Sequence, residues 1–145
     1  MRSCFLCVLV FSLCFSCVEK TKKQTIVGSW ELLSARIYKG DSSYSSVHAN
    51  EKLIKIFNRT HFAFLRHDVH KGKDSLPVFV AGGGEYTFEN GTYTEYVEFL
   101  NYREWEGKVF EFNATIANDT LTISGIEKIE ELGVDHKIIE VYKRL

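Results

Sequence analysis

Cysteine is missing from nearly all of the chain. The 145-residue sequence has four cysteines, all of them before Val18: Cys4, Cys7, Cys14 and Cys17. The segment from Val18 to Leu145 therefore offers no disulfide bond and no thiolate metal ligand. A fold in this segment must be stabilised by an ordinary apolar core, which a chain of this length can form as a single domain.

An excess of charge, long apolar runs and proline are absent as well. The 18 basic and 19 acidic residues give a formal net charge of −1, so there is no electrostatic reason to expect a nucleic-acid partner. No apolar run reaches the roughly 20 residues that a membrane-spanning helix needs. The single proline, Pro77, stands at the start of a predicted strand, where its missing N–H does least harm.

The chain begins with a short apolar run, Cys4 to Phe15, after one basic residue, Arg2. Its length suits the core of a signal peptide, and we expect residues 1–16 to be removed. The segment LCFSC ending at Cys17 resembles a bacterial lipobox, in which a small residue precedes the cysteine that receives lipid. An ordinary secretory cleavage near Cys17 is the alternative.

Lipidation at Cys17 would decide where the protein resides. Acyl chains contribute about 0.8 kcal/mol per buried methylene, so a multiply acylated cysteine holds a protein on a membrane without a spanning helix. We therefore expect an envelope lipoprotein, in the periplasm or on the outer-membrane surface. Residues 17–25 are predicted to be the lipidated cysteine and a polar tether, and residues 26–145 a single domain.

The predicted domain is all-β. Runs rich in Val, Ile, Thr, Phe and Tyr alternate with turn signals, which is typical of strands. The predicted strands are Val27 to Lys39, Lys52 to Arg59, His61 to His67, Val78 to Glu89, Thr92 to Asn101, Lys108 to Ala117, Thr120 to Gly125 and His136 to Arg144. About eight strands joined mostly by tight turns predict a single antiparallel up-and-down barrel. The spacing of Ile126, Ile129 and Leu132 before Gly133 also predicts a short helix near 126–132.

Asn90-Gly91 gives the strongest local signal, a hairpin with a two-residue type I′ turn. Side-chain alternation then pairs Phe88 with Tyr93 and Tyr86 with Glu95. The predicted inner face consists of Tyr86, Phe88, Tyr93, Glu95, Val97 and Phe99, and Glu95 is its one carboxylate. The glycines before the hairpin, Gly82 to Gly84, precede a strand and not a helix, so they indicate a bend or bulge that lets the sheet close rather than a phosphate site.

Several motifs together carry a family resemblance. GSWELLSA at Gly28 resembles the G-x-W opening of lipocalins and related calycin barrels, in which a last-strand arginine packs across the tryptophan. Trp30 and Arg144 match those positions, and the resemblance implies that they close one end of the barrel with Gly28. The order THFAFLRHD, GGGEYTFENGTYTEYVEF and EGKVFEF resembles the lipocalin-like lipoproteins of Bacteroides-type bacteria, whose biochemical role is generally unknown.

Alternation predicts a polar group inside the barrel. If Trp30 points inward, Arg36 shares its face, and inward Phe62 and Phe64 would bring Arg66 to the same interior. An inward carboxylate should be paired, so both arginines are candidate partners of Glu95. The predicted ligand-binding residues are Trp30, Arg36, Phe62, Phe64, Arg66, Tyr86, Tyr93, Glu95, Phe110, Phe112 and Tyr142. The alternative is that Glu95, Tyr86 and one arginine form a closed structural network with no room for a ligand.

The sequence predicts neither an enzyme nor a metal or cofactor site. No motif joins a nucleophile to a base, and a lone inward Glu95 lacks the second carboxylate of glycoside chemistry. The segment from His67 to His70 has metal-ligand residue types but is interpreted as a solvated loop. We expect a lipocalin-like lipoprotein that binds a small apolar or amphipathic ligand. The alternative is a protein-interaction module with a filled core.

Overall fold

A computed structural model describes residues 25–145 as an antiparallel all-β domain. The predicted signal peptide, residues 1–16, and Cys17 lie outside the described residues. The strands are β1 (Gly28–Lys39), β2 (Ser42–Ser45), β3 (Glu51–Phe57), β4 (His61–Asp68), β5 (Phe79–Glu89), β6 (Thr92–Leu100), β7 (Val109–Ala117), β8 (Thr120–Ile129) and β9 (Val134–Arg144).

Eight of these strands close into a barrel, and β2 is an additional strand at its rim. The hydrogen-bonded order runs from β1 through β3 to β9, and β9 pairs back with β1 from Arg144–Trp30 to Lys137–Tyr38. The first half of β1 pairs with β3, whereas its second half pairs with β2. The predicted all-β barrel of about eight strands is confirmed.

The hairpin of β5 and β6 has the predicted turn and register. Asn90 and Gly91 both have positive φ, 52° and 84°, as a type I′ turn requires. Phe88 pairs with Tyr93, and Tyr86 pairs with Glu95. Period-two alternation therefore positions Tyr93 and Glu95 inside the barrel, where both are buried.

The predicted short helix near 126–132 is present only as a three-residue 3₁₀ helix. Strand β8 continues to Ile129, and a 3₁₀ turn of Glu130–Leu132 leads through left-handed Gly133 into β9. Ile126 and Ile129 both belong to β8 and only Leu132 lies in the 3₁₀ turn, so the spacing of these residues does not reflect an α-helix. Among residues 25–145, no helix has the length and apolar character needed to cross a membrane.

Two β-bulges reverse the predicted facing of residues beyond them. In β1 the pairing skips Leu33, and in β6 it skips Glu98. One extra residue in a strand moves every later side chain to the other face. Arg36 therefore lies on the outside and donates to Oγ of Ser43 at 2.8 Å, and Phe99 is 64% exposed. The inward positions predicted for Arg36 and Phe99 are wrong.

One end of the barrel is closed by Trp30 and Arg144. Trp30 is fully buried and donates from Nε1 to the carbonyl of Ile26 at 2.8 Å. The Arg144 guanidinium lies 4.0 Å from the centre of the Trp30 ring and donates to the carbonyl of Val27 at 3.0 Å. A Cβ at Gly28 would lie 2.7 Å from Nη1 of Arg144, so a larger residue would displace the guanidinium, and the φ of 139° also favours glycine.

Candidate functional site

The barrel interior contains a cavity of about 260 Å³. It occupies the half of the barrel remote from Trp30, where β1, β4 and β6 end and β5, β7 and β9 begin. The 3₁₀ turn Arg103–Trp105 between β6 and β7 contributes Trp105 to its wall. The lining residues are Ile37, Ser46, Leu53, Lys55, Phe64, Arg66, Val80, Glu95, Val97, Leu100, Tyr102, Trp105, Phe110, Phe112, Glu127, Ile138, Glu140 and Tyr142. The side chains of this barrel therefore fill its interior only in part.

Aromatic rings form one continuous wall of the cavity. Phe110 and Phe112 are stacked, with ring centres 6.3 Å apart, and Trp105 packs on Phe110 at 5.7 Å. Phe112 in turn stacks on Tyr93 at 6.1 Å. Alternation along β7 points Phe110 and Phe112 inward, and the connecting turn folds Trp105 over them. This wall offers flat apolar surface to a ligand.

An ion pair between Lys55 and Glu95 lies beside this wall. Nζ of Lys55 donates to Oε1 of Glu95, and the hydroxyl of Tyr93 donates to the same oxygen at 2.6 Å. Lys55 is only 5% exposed and Glu95 8%. Burial lowers the pKa of Lys55, but Glu95, Glu140 and Glu127 together more than offset this and raise it. Lys55 is therefore charged, and burial with the nearby Glu95 raises the pKa of Tyr93 well above its ordinary value.

Two further carboxyl groups, Glu127 and Glu140, face the same space. Oε2 of Glu140 accepts from the hydroxyl of Tyr142 at 2.7 Å, and Oε2 of Glu127 lies 2.8 Å from Nε2 of His136. Burial, reinforced by Glu140 and Glu95, raises the pKa of Glu127 to about 8. Burial likewise raises the pKa of Glu140, against the opposing effect of Lys55.

The imidazole of His136 is not a cationic partner for Glu127. Burial, with the positive charge of Lys39, lowers the pKa of His136 below its ordinary value. Both shifts favour the uncharged forms of His136 and Glu127, which lie 2.8 Å apart.

Arg66 is the second cation on the cavity wall, and it is already paired. Its Nε donates to Oε2 of Glu51 at 2.7 Å, and its Nη2 donates to the Ser46 carbonyl at 2.7 Å and contacts Glu51 as well. The arginine thereby joins β4 to the start of β3 and to the segment after β2. Its predicted pairing with Glu95 is wrong, because Lys55 occupies that position.

The predicted ligand-binding residues fall into four groups. Those that line the cavity are Phe64, Arg66, Glu95, Phe110, Phe112 and Tyr142. Phe62 and Tyr93 are buried against the ion pair, and their ring centres lie 5.2 and 5.3 Å from Nζ of Lys55. Trp30 and Tyr86 lie toward the closed end, where the Tyr86 hydroxyl donates to the Asn58 carbonyl at 2.7 Å. Arg36 lies outside the barrel.

Three charged groups of the cavity were missed from the sequence: Lys55, Glu127 and Glu140. The expectation of one inward carboxylate is wrong, since three carboxyl groups line the cavity. The signal was present, because Leu53 and Phe57 are inward and Lys55 stands between them by alternation. The same rule places Glu140 between Ile138 and Tyr142.

The segment from His67 to His70 forms a turn whose polar groups bind one another. Asp68 is buried and accepts from the backbone N–H of Gly72 at 2.8 Å and of Val78 at 3.1 Å. The bond from Gly72 is the main cause that lowers the pKa of Asp68. His70 bonds to Asp74. The Asp68 carboxylate therefore orders the connection between β4 and β5.

Neither a protein-family model nor a curated protein matches the chain. Among solved structures, the chain is similar to an uncharacterized protein from Bacteroides eggerthii. The two share 10% sequence identity at a TM-score of 0.47, over 82% of this chain and 98% of the other. Membership of the lipocalin-like lipoproteins stays a prediction.

Proposed function

We propose that this protein is a lipocalin-like lipoprotein of the cell envelope that binds a small, partly apolar ligand inside its barrel without chemical conversion. The cavity of about 260 Å³ beside Lys55 and Glu95 is the observation that carries the proposal. Ligand sites are typically concave and largely apolar, with a few polar groups that fix orientation. This cavity has an aromatic wall on β7, and the neighbouring strands β6 and β8 contribute the charged or titratable side chains Glu95 and Glu127.

The size of the cavity limits the ligand. Small-molecule sites usually measure about 300–1,000 Å³, so a cavity of about 260 Å³ suits a compact compound of up to three rings rather than a long lipid. The proposed anchor at Cys17 would keep such a binding protein at the membrane, and this part of the proposal rests on the sequence. An interaction module with a filled core is less well supported, because the interior is not filled.

A matched pair of tryptophan variants tests the proposed ligand site. Leu100 lines the cavity, whereas its neighbour Phe99 is on the outer face. N-phenyl-1-naphthylamine, a neutral apolar fluorophore, is titrated into the domain of residues 25–145 and its fluorescence is followed. We expect saturable binding to wild type and to Phe99→Trp, and at least tenfold weaker binding to Leu100→Trp. Equal binding to the two variants would refute the interior site.

Mass spectrometry of the full-length protein from bacterial membranes tests the anchor. A mature chain that begins at an acylated Cys17 is expected. A chain cut elsewhere, or a free thiol at Cys17, would remove the lipoprotein from the proposal and leave the ligand site untouched.

A further inference from the structure

The two cations on the cavity wall are both neutralised by neighbouring carboxylates. Lys55 is bonded to Glu95, and Arg66 is bonded to Glu51. Each pair is held by further hydrogen bonds, from Tyr93 to Glu95 and from Arg66 to the Ser46 carbonyl. Among residues 25–145, both cations that line the cavity are therefore already bonded to a carboxylate.

The carboxyl groups of Glu127 and Glu140 have no such cation. Within residues 25–145, neither forms an ion pair with lysine or arginine, and their hydrogen-bond partners are His136 and the Tyr142 hydroxyl. Both nevertheless line the cavity together with Glu95. Buried charges in proteins are normally paired, whereas the cavity lining has three carboxyl groups and two cations, and these cations are bonded to Glu95 and Glu51.

We infer that the ligand is a small organic cation, an amine with a flat apolar body, whose ammonium group binds between Glu127 and Glu140. The inference rests on the proposed ligand-binding function and specifies the chemistry of the same site. The ammonium group would supply the positive charge that the wall lacks, and it would take the place of the proton held by Glu127.

The aromatic wall suits the rest of such a ligand. Phe110, Phe112 and Trp105 all line the cavity, and aromatic rings attract cations as well as apolar surface. The barrel already uses this contact elsewhere, since Nζ of Lys55 lies among the rings of Phe62 and Tyr93. A carboxylate ligand, in contrast, would meet two acids that form no ion pair with a lysine or arginine of residues 25–145.

Three ligands of similar size and different charge test the inference. They are 2-phenylethylamine, 2-phenylethanol and 3-phenylpropionate, each used to displace N-phenyl-1-naphthylamine. We expect the amine to displace the fluorophore at least tenfold more effectively than the alcohol, and the carboxylate to be the weakest. Displacement by all three at the same concentration would overturn the inference and leave the proposed ligand site standing.

Isosteric variants assign the preference to the two acids. Glu127→Gln and Glu140→Gln should each reduce the ratio of amine to alcohol affinity at least threefold, whereas Glu111→Gln on the exposed face of β7 should not change it. A preference that survives both changes would overturn the assignment. If neither the fluorophore nor the amine binds, with calorimetry as the second readout, the proposed function and the inference both fail.

The pH dependence of binding gives an independent readout. Glu127 faces Glu140 and His136 from β9, Glu95 from β6 and Lys55 from β3. Since the pKa of Glu127 is about 8 in the empty protein, amine affinity should rise between pH 6 and pH 8.5 while the affinity for 2-phenylethanol stays constant. Calorimetry in buffers of different ionisation enthalpy should detect proton release on binding of the amine at pH 7, and uptake of protons would contradict the inference.

Discussion

Lys55 and Glu95 join opposite parts of the barrel through its interior, because Lys55 is on β3 and Glu95 is on β6. The ammonium group of Lys55 lies 5.2 Å from the ring centre of Phe62 and 5.3 Å from that of Tyr93. The Tyr93 hydroxyl shares the acceptor oxygen of Glu95. The pair thus belongs to the core through these rings and to the cavity, which both residues line.

Lys55→Met should destabilise the barrel strongly. The change leaves Glu95 buried without a cation, and loss of one partner of a buried pair typically costs about 3–5 kcal/mol. Lys52→Met is the matched control, since Lys52 pairs with Glu31 at the surface and exposed pairs are worth about 0–1 kcal/mol. Urea unfolding measures both. If both variants lost the same free energy of unfolding, the buried pair would stabilise the barrel no more than the surface pair does.

The stability of the domain should fall as pH rises from about 4.5 to about 8, because of Glu127. Its pKa is about 8 in the folded protein against an ordinary value of 4.5. The folded state binds more protons in this range, so the stabilising contribution is complete below the ordinary pKa and is lost as pH rises through the folded value. We expect a change of roughly 2–4 kcal/mol.

Glu127→Gln removes this titration and should flatten the profile of free energy of unfolding between pH 5 and pH 8.5. Some slope should persist, because burial also raises the pKa of Glu140. Glu111→Gln, at an exposed position, should retain the wild-type profile. If the free energy of unfolding of Glu127→Gln changed with pH as it does in wild type, other groups would be the cause of the slope.

The fold was predictable because local signals and alternation agree in this chain. Asn90-Gly91 fixed the turn, and the pairing of Tyr86 with Glu95 then followed from period two. The same rule places Lys55 inside, between Leu53 and Phe57. It was missed because lysine is assigned to the surface by default, as its burial requires a partner that only the tertiary structure supplies.

The two β-bulges are the reason why some inward-facing residues were predicted wrongly from the sequence. Arg36 and Phe99 were both assigned to the interior, and each follows a strand residue that has no pairing partner, Leu33 or Glu98. Whether a strand accepts an extra residue depends on the twist needed for barrel closure, which no short sequence pattern reports. The glycines opposite Glu98 were the one available hint.

Gly84→Ala should be poorly tolerated at this bulge. A Cβ at Gly84 would lie 1.9 Å from the Tyr96 carbonyl oxygen and 2.9 Å from the Glu98 amide nitrogen, so the backbone of β5 or β6 must move. We expect a loss of about 3 kcal/mol or more, as for other substitutions that strain a packed core. The matched control is Gly40→Ala, where φ is +56° but no atom lies within 4 Å, and a loss of about 1–2 kcal/mol is expected. Thermal unfolding compares the two, and equal losses would argue against the steric account.

Arg144 should be replaceable neither by alanine nor by lysine. Its guanidinium covers the Trp30 ring and also donates to the carbonyl oxygens of Val27 at 3.0 Å and Thr25 at 2.6 Å. A lysine ammonium is a point charge and cannot stack on the ring while its donors reach both carbonyls. We expect Arg144→Ala to cost about 2–3 kcal/mol and Arg144→Lys at least half as much, from the lost cation–π contact and hydrogen bonds.

Arg103→Ala is the control for Arg144, because Arg103 is largely exposed and pairs only with Glu106. Its loss should stay below about 1 kcal/mol. Urea unfolding monitored by tryptophan fluorescence measures all three variants, and the emission of buried Trp30 should shift to the red in Arg144→Ala as the ring gains access to water. The emission spectrum of Arg144→Ala could remain unchanged, and Arg144→Lys could be as stable as wild type. These two results together would show that only the positive charge of Arg144 matters.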